Sequence, residues 1–353
     1  MTIRLGIIGC GRVAQERHLP ALQQISDIQV TAVADVDKTR LNKLADQYKI
    51  QKRYHDYRYL LDLPDIDAVG VLTPTGSHLE IGLATLDAGK HMLLEKPLAL
   101  NLAECDQLIA KSKESASCKV VVGFNNRWHR LVQQAGEFIQ TGALGTIKAV
   151  NSVYTHSRSG DNAPDWHRKL SIGGGVSFNE AVHHFDLWHY LTGSRVEEIF
   201  SFSNDSSYYE DETHVTTARL SGGILATGIF TFKTSPTSEM EIYGDLGRLH
   251  LSLYKFDGLE FFPHTAYPGD IVDRLKKMVG TIGKLPQAIP NMRRGGDFTA
   301  TFHGLWNHFV QCVTTDLPSE CTPEDGKRAL KVSLGAVKSI GTGQPVRLSN
   351  MDS

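Results

Sequence analysis

The sequence predicts two domains. Residues 1–123 read as an α/β domain on a parallel, doubly wound sheet, and residues 124–353 as an α+β domain with a mostly antiparallel sheet. Three observations predict this. Strand and helix patterns alternate through the first third of the chain. After about Phe124, longer runs of β character follow one another with few helices between them. A glycine motif stands directly between the first strand and the first helix. A chain of 353 residues also suits two domains better than one.

In the first domain, residues 4–8 form a short apolar run ending in glycines, and residues 13–24 have helical spacing. Residues 28–34 are rich in β-branched side chains and end at Asp35; residues 39–48 read as a helix. Residues 68–72 are a buried-type strand, followed by Thr73-Pro74-Thr75-Gly76 and a helix over 78–88. A strand over 91–94 stops before Pro97, a helix covers 102–112, and residues 120–122 are the last strand. In the second domain, strands are expected over 147–154, 213–220, 224–232, 239–243 and 248–253, with one strong helix over 179–191. Residues 263–297 read as an irregular insertion with helical pieces and a basic patch at 274–277 and Arg293-Arg294. Helices follow over 302–313 and 324–340, the second behind Thr322 as its N-cap.

Composition narrows the function. A formal net charge of −2 provides no basic field for nucleic acid. No stretch approaches the roughly 18 apolar residues needed to cross a bilayer. The first apolar run stops at Gly9, too early for a secretory signal core. The five cysteines, Cys10, Cys105, Cys118, Cys312 and Cys321, show neither Cys-x-x-Cys nor paired metal-ligand spacing. Reduced thiols in a cytoplasmic protein, with no metal site, are the expectation.

Gly9-Cys10-Gly11-Arg12-Val13-Ala14 is a G-x-G-x-x-A motif between strand and helix. The first glycine permits the tight turn, the second lets backbone approach a pyrophosphate, and the small Ala14 lets the helix pack closely. The phosphates would rest on the helix N-terminus at Arg12 and Val13, where free N–H groups and the dipole favour anions. Asp35 ends the second strand 21 positions after Ala14 (35 − 14). A carboxylate there accepts from an adenosine ribose diol and repels a 2′-phosphate, so NAD is expected over NADP, with the nearby Arg40 softening the choice. Thr73, Pro74, His78, Glu95 and Lys96 follow the next strands at the mouth of the same crevice and are further candidate cofactor contacts. Pro97 fixes the backbone after Lys96 and is a candidate cis residue. In the second domain, Gly173-Gly174-Gly175 precedes Asn179, His183 and Asp186, which share one helical face at about 100° per residue.

Taken in order, these pieces resemble the glucose–fructose oxidoreductase and inositol dehydrogenase family, Gfo/Idh/MocA. The resemblance also includes Arg127 in Gly-Phe-Asn-Asn-Arg-Trp, Gly244-Asp245-Leu246-Gly247 and Thr322-Pro323-Glu324-Asp325-Gly326. It implies a Rossmann domain joined to a domain with a large open sheet. It also implies hydride transfer to or from a sugar, polyol or sugar nucleotide, and assembly as a homodimer or homotetramer. By position, Lys96 and His183 fall on the family's catalytic pair. Many members carry Asp four residues before this histidine, and this chain has Asn179. Without that charge His183 is easier to keep neutral, and the amide offers a donor and an acceptor for a substrate group.

The expected mechanism has His183 take a hydroxyl proton as general base. Lys96, as an ammonium, stabilises the developing negative charge on the same oxygen. Arg127, Trp166, Arg168 and Asn179 are the candidate substrate contacts, and Asp186 is expected to brace the helix or support the site. Two rivals remain at this stage. One is an NAD-dependent glycosidase or eliminase that oxidises transiently, and the other is a cofactor-binding regulator without turnover.

Overall fold

The computed structural model describes residues 2–158, 163–265, 280, 283 and 297–351. The basic patch at 274–277 and Arg293-Arg294 lies outside the described residues. The chain divides into two compact units. The first comprises Met1–Asn125, Ser171–Gly173 and Phe302–Lys331, and the second comprises Asn126–Leu170, Gly174–Thr301 and Val332–Ser353.

In the first unit, β1 (Ile3–Ile8), β2 (Ile28–Ala34), β3 (Lys52–Tyr54), β4 (Ala68–Val71), β5 (His91–Leu94) and β6 (Val120–Val122) form one sheet. Its order is β3-β2-β1-β4-β5-β6, and every pair is parallel. This is the doubly wound Rossmann order, which reverses between β1 and β4 and opens a crevice at the carboxyl ends of the strands. Gly9, Asp35 and Glu95 follow directly on those ends, and Thr73 follows one residue further on. The strands are short, apolar and buried on both faces, as a parallel sheet between helices requires. β3, with the sequence Lys-Arg-Tyr, carries no apolar pattern and takes its strand form from pairing with β2.

Asp37 caps the helix Lys38–Gln47, its Oδ1 accepting from Thr39 N at 2.8 Å and Arg40 N at 3.0 Å. Asn101 caps Leu102–Glu114, its Oδ1 accepting from Glu104 N at 2.9 Å, while the Glu104 carboxylate accepts from Leu100 N at 3.0 Å. Thr322 forms a reciprocal cap with Asp325 on Pro323–Thr342, as its position predicts: Thr322 Oγ1 accepts from Asp325 N at 3.3 Å, and Asp325 Oδ2 accepts from Thr322 N at 2.9 Å. The helix Asp297–Thr315 lays Trp306 against this sheet. A Cβ at Gly70 of β4 would stand 3.1 Å from the Trp306 ring, so the glycine makes room for the indole.

The second unit contains β7 (Ile147–Ser157), β8 (Val196–Asn204), β9 (Thr213–Leu220), β10 (Leu225–Thr231), β11 (Lys233–Gly244), β12 (Gly247–Ser252), β13 (Leu259–Pro263) and β14 (Val346–Arg347). The order is β13-β12-β11-β7-β10-β9-β8-β14, antiparallel throughout except for the β10–β7 pair. One face is dry. Leu220, Phe230, Ile242 and Leu249 pack with Phe185 and Trp188 of the helix Val182–Thr192. The other face carries Phe202, Val215 and Ile229, which are 69%, 43% and 43% exposed and lie side by side across β8, β9 and β10. The amphipathic helix Arg130–Gln140 and strands β8, β13 and β14 fall in stretches for which the sequence pattern led to no assignment. In β8, outward Glu197 and Glu198 mask the alternation that buries Ile199 and Ser201.

Two helices differ from expectation in their winding. The helix after the glycine motif is π-wound over Ala14–His18 and α-wound only over Leu19–Leu22. The helix carrying His183 begins with a π-wound segment, Ser177–Ala181. The wider π turn rotates Asn179 relative to His183, so the uniform 100° spacing does not hold there.

Candidate active site

The first unit builds the cofactor end of the site. Gly9 has φ +98°, and a Cβ on it would meet the Leu72 carbonyl at 2.7 Å. Conformation and packing both require glycine there. Gly11 is different: a Cβ there would meet nothing within 4 Å. That open space in front of the helix N-terminus suits a pyrophosphate. Arg12 points outward and pairs with Glu16 at 2.9 Å, and Val13 is 39% exposed, so the first turn is uncovered.

Asp35 does more than its position predicts. Its Oδ2 accepts from Cys10 N in the glycine loop at 2.7 Å. Its Oδ1 accepts from Asp37 N at 2.8 Å and from Arg40 Nη2 at 3.2 Å. The carboxylate therefore ties the glycine loop to the end of β2. Three donors occupy a group with about four acceptor positions, which leaves one for a ribose hydroxyl. The residues present fit a dinucleotide.

His78 differs from expectation. It is fully buried and cannot touch a cofactor. Its Nδ1 lies 2.8 Å from Pro97 O and its Nε2 lies 2.9 Å from Thr73 O, so the ring joins the loop after β4 to the loop after β5. Burial holds its pKa below the usual histidine value although both carbonyls push the other way. Thr73 is half-buried and accepts from Ser77 Oγ at 2.8 Å, and Pro74 is exposed. The Lys96–Pro97 peptide is cis.

Glu95 is also buried. Its Oε1 lies 2.9 Å from His18 Nε2, and its Oε2 accepts from Lys96 N at 3.0 Å. Burial alone would raise this carboxyl, but the His18 hydrogen bond and the Lys96 charge outweigh it and hold the group below the usual carboxylate range. Glu95 is thus a support behind Lys96 more than a cofactor ligand. Trp306 Nε1 donates to His18 Nδ1 at 3.1 Å. Neither His18 nor Trp306 stands in a recognisable motif. They lie 77 and 211 positions from Glu95 (95 − 18 and 306 − 95), and no local signal connects them.

The second unit carries the remaining candidate residues. His183 is 8% exposed on the helix Val182–Thr192. Arg127 does not serve as a free substrate contact. It is 3% exposed and forms a bidentate pair with Asp186, Nε to Oδ2 at 2.8 Å and Nη2 to Oδ1 at 2.5 Å. Its guanidinium also lies over the Tyr190 ring, 5.1 Å from the centroid. Asp186 sits three residues after His183, so this pair braces the helix that carries the histidine.

Asn179 also differs from expectation. Its Nδ2 donates to Gly175 O at 2.7 Å and to His167 O at 3.3 Å. Both amide hydrogens are used within the protein, which removes the donor half of the expected substrate contact. Aspartate could not replace it without facing two carbonyl oxygens. A Cβ on Gly174 would meet His167 C and Lys169 N at 2.7 Å, so this glycine lets the 165–168 turn lie against the glycine run. On that turn Trp166 is 39% exposed, and Arg168 Nε donates to Tyr208 O at 2.8 Å. Trp166 keeps a free face, whereas Arg168 is partly committed.

Residues 3–124 match the NAD-binding Rossmann domain of the GFO/IDH/MocA oxidoreductases, and residues 132–250 match the C-terminal domain of the same family. The chain belongs to the Gfo/Idh/MocA family. It is an oxidoreductase whose first domain binds NAD. A myo-inositol 2-dehydrogenase of Thermotoga maritima is 30% identical over 99% of this chain and 99% of its own length. A probable dehydrogenase from the same organism superposes with a TM-score of 0.80, at 25% identity, over 99% of this chain and 100% of its own. The fold is also that of the WlbA dehydrogenase from Bordetella pertussis, solved with NADH and UDP-GlcNAcA. The TM-score is 0.81 at 20% identity, covering 98% of this Gfo/Idh/MocA chain and 99% of the other.

Proposed function

We propose that this protein oxidises a secondary alcohol of a sugar, polyol or sugar nucleotide, with NAD preferred to NADP. The observation that carries the reading is Lys96. It follows β5 on the same sheet edge as Gly9, Asp35 and Thr73, where a doubly wound domain keeps its reactive groups. The relative named myo-inositol 2-dehydrogenase and the neighbour solved with UDP-GlcNAcA support this substrate class.

Bound NAD supplies the hydride acceptor. The glycine loop would hold its pyrophosphate and Asp35 its adenosine ribose. Lys96, as an ammonium, donates to the substrate oxygen and favours its developing negative charge. His183 accepts the hydroxyl proton. Trp166, with one exposed face, is the residue offered to a sugar ring. The five unpaired cysteines suit a reducing, cytoplasmic compartment.

A screen of sugars, inositols and sugar nucleotides, followed by nicotinamide absorbance, tests the reading. At least one class should reduce NAD, and NADP should serve less well. Asp35 favours the first cofactor, while Arg40 beside it narrows the gap. No reduction with any class would overturn the reading, and product release at constant absorbance would move it to transient oxidation. Equal use of NADP would remove the cofactor preference.

The row Phe202, Val215 and Ile229 on the outer sheet face is the support for self-association. Light scattering at micromolar concentration should therefore give a multiple of 39.0 kDa, as for a dimer or tetramer. A monomeric mass would refute it.

A further inference from the structure

We propose that His18 is a positioning residue for the hydride transfer, acting on Lys96 through Glu95. The inference rests on the reading of Lys96 given above and deepens it.

Three elements of the first unit meet in this arrangement. His18 closes the π-wound turn after the glycine loop, Glu95 follows β5, and Trp306 comes from the helix Asp297–Thr315. His18 and Trp306 have no measurable exposure, and Glu95 is 8% exposed. An indole N–H can only donate, so His18 Nδ1 must accept from Trp306. Nε2 is then the nitrogen that donates, and it donates to Glu95 Oε1. The packing keeps this orientation: Phe302 and Trp306 meet the imidazole edge-on, with centroids at 4.9 and 5.8 Å. The other carboxylate oxygen holds the Lys96 backbone N–H. A continuous path thus runs from Trp306 through His18 and Glu95 to Lys96.

The physical consequence concerns charge. A carboxyl buried to this degree takes a proton unless hydrogen bonds to its charged form offset the lost hydration. The His18 donor is the side-chain hydrogen bond that does so here. An ionised Glu95 in turn favours the ammonium form of Lys96, which the proposed mechanism requires. The titratable groups acting on Glu95 from its surroundings are His18 from the glycine-loop helix, Lys96 on its own loop and His78 from the helix His78–Asp87. Gly123 of the loop after β6, beside Glu95, and Trp306, bonded to His18, carry no charge. A core with only a packing role at position 18 would need no donor aimed at the carboxylate. That is what separates this role from simple filling.

The test reads Lys96 directly and needs no substrate. In the full-length protein, the pH dependence of Lys96 modification by trinitrobenzenesulfonate, mapped by peptide mass, reports the ammonium pKa. His18→Leu should move that profile to lower pH by about one unit, the low end for a nearby opposite charge. His18→Gln keeps an amide donor for Glu95 and should restore most of the original profile. Glu95→Gln should shift the profile as His18→Leu does. It provides the same test with a near-isosteric change should His18→Leu fail to fold. NADH fluorescence should show similar cofactor affinity in all three folded variants. An unshifted Lys96 profile in Glu95→Gln, or in a folded His18→Leu, overturns the proposal. Equal shifts in His18→Leu and His18→Gln would also overturn it, since the donor would then not matter. The mechanistic reading fails separately, through full turnover in a Lys96→Ala variant.

Discussion

Lys96→Ala and His183→Ala should each lower kcat by about 10²–10⁴-fold, the usual range for one acid–base or charge-stabilising group. Cofactor affinity, followed by NADH fluorescence, should hardly change. The groups fitted to the dinucleotide are the open space at Gly11, the uncovered first turn and Asp35, and none of them depends on either side chain. The two variants should differ in one respect. His183→Ala should lose the acidic limb of the pH–rate profile, because the base that must be neutral is gone. Lys96→Ala should lose the alkaline limb, because the ammonium is gone. Near-normal turnover on the correct substrate would remove that residue from the mechanism. A tenfold loss of NADH affinity would instead mean that the loop had moved.

Breaking the Arg127–Asp186 pair should produce the largest effect on stability. Both side chains are almost fully buried, at 4% and 3% exposure, so removing one takes this bidentate ion pair from the other. Such single losses cost about 3–5 kcal/mol, whereas replacing both partners with apolar groups is often near neutral. Urea denaturation of Arg127→Met and Asp186→Leu should show that loss, and the double variant should recover most of it. Additive losses in the double variant would mean that the two residues stabilise the fold independently. The same experiment separates the two readings of Arg127. A substrate ligand would raise KM with little loss of stability, while the brace seen here should lower stability first and disturb His183 only through its helix.

Local sequence determined the parts of this protein that depend on neighbouring residues. The run ending at Gly9 and the carboxylate at the end of β2 were legible because one strand–turn–helix unit contains all their requirements. The same holds for Thr322 with Asp325, where a cap spans only three positions. The alternation of buried and exposed residues in β9 was likewise readable from a single strand. The order of pieces along the chain was enough to identify the family.

Tertiary structure alone decided which groups remained available to a ligand. Arg127 looked like a free cation until Asp186, 59 positions away, came to lie against it. His78 looked like a cofactor contact, yet its two nitrogens face carbonyl oxygens of Thr73 and Pro97. Asn179 looked like a substrate amide, yet its hydrogens hold the 165–168 turn and the glycine run. His18, Glu95 and Trp306 acquire a common role only where the sheet brings them together. The physical reason is the same in each case. A buried polar group must satisfy its hydrogen bonds, and its partners are supplied by whatever the fold packs beside it, at any sequence distance. The π-wound turns at Ala14–His18 and Ser177–Ala181 belong with these, because their widened winding and the side-chain directions it sets follow from the packing around them, and no residue pattern announced them.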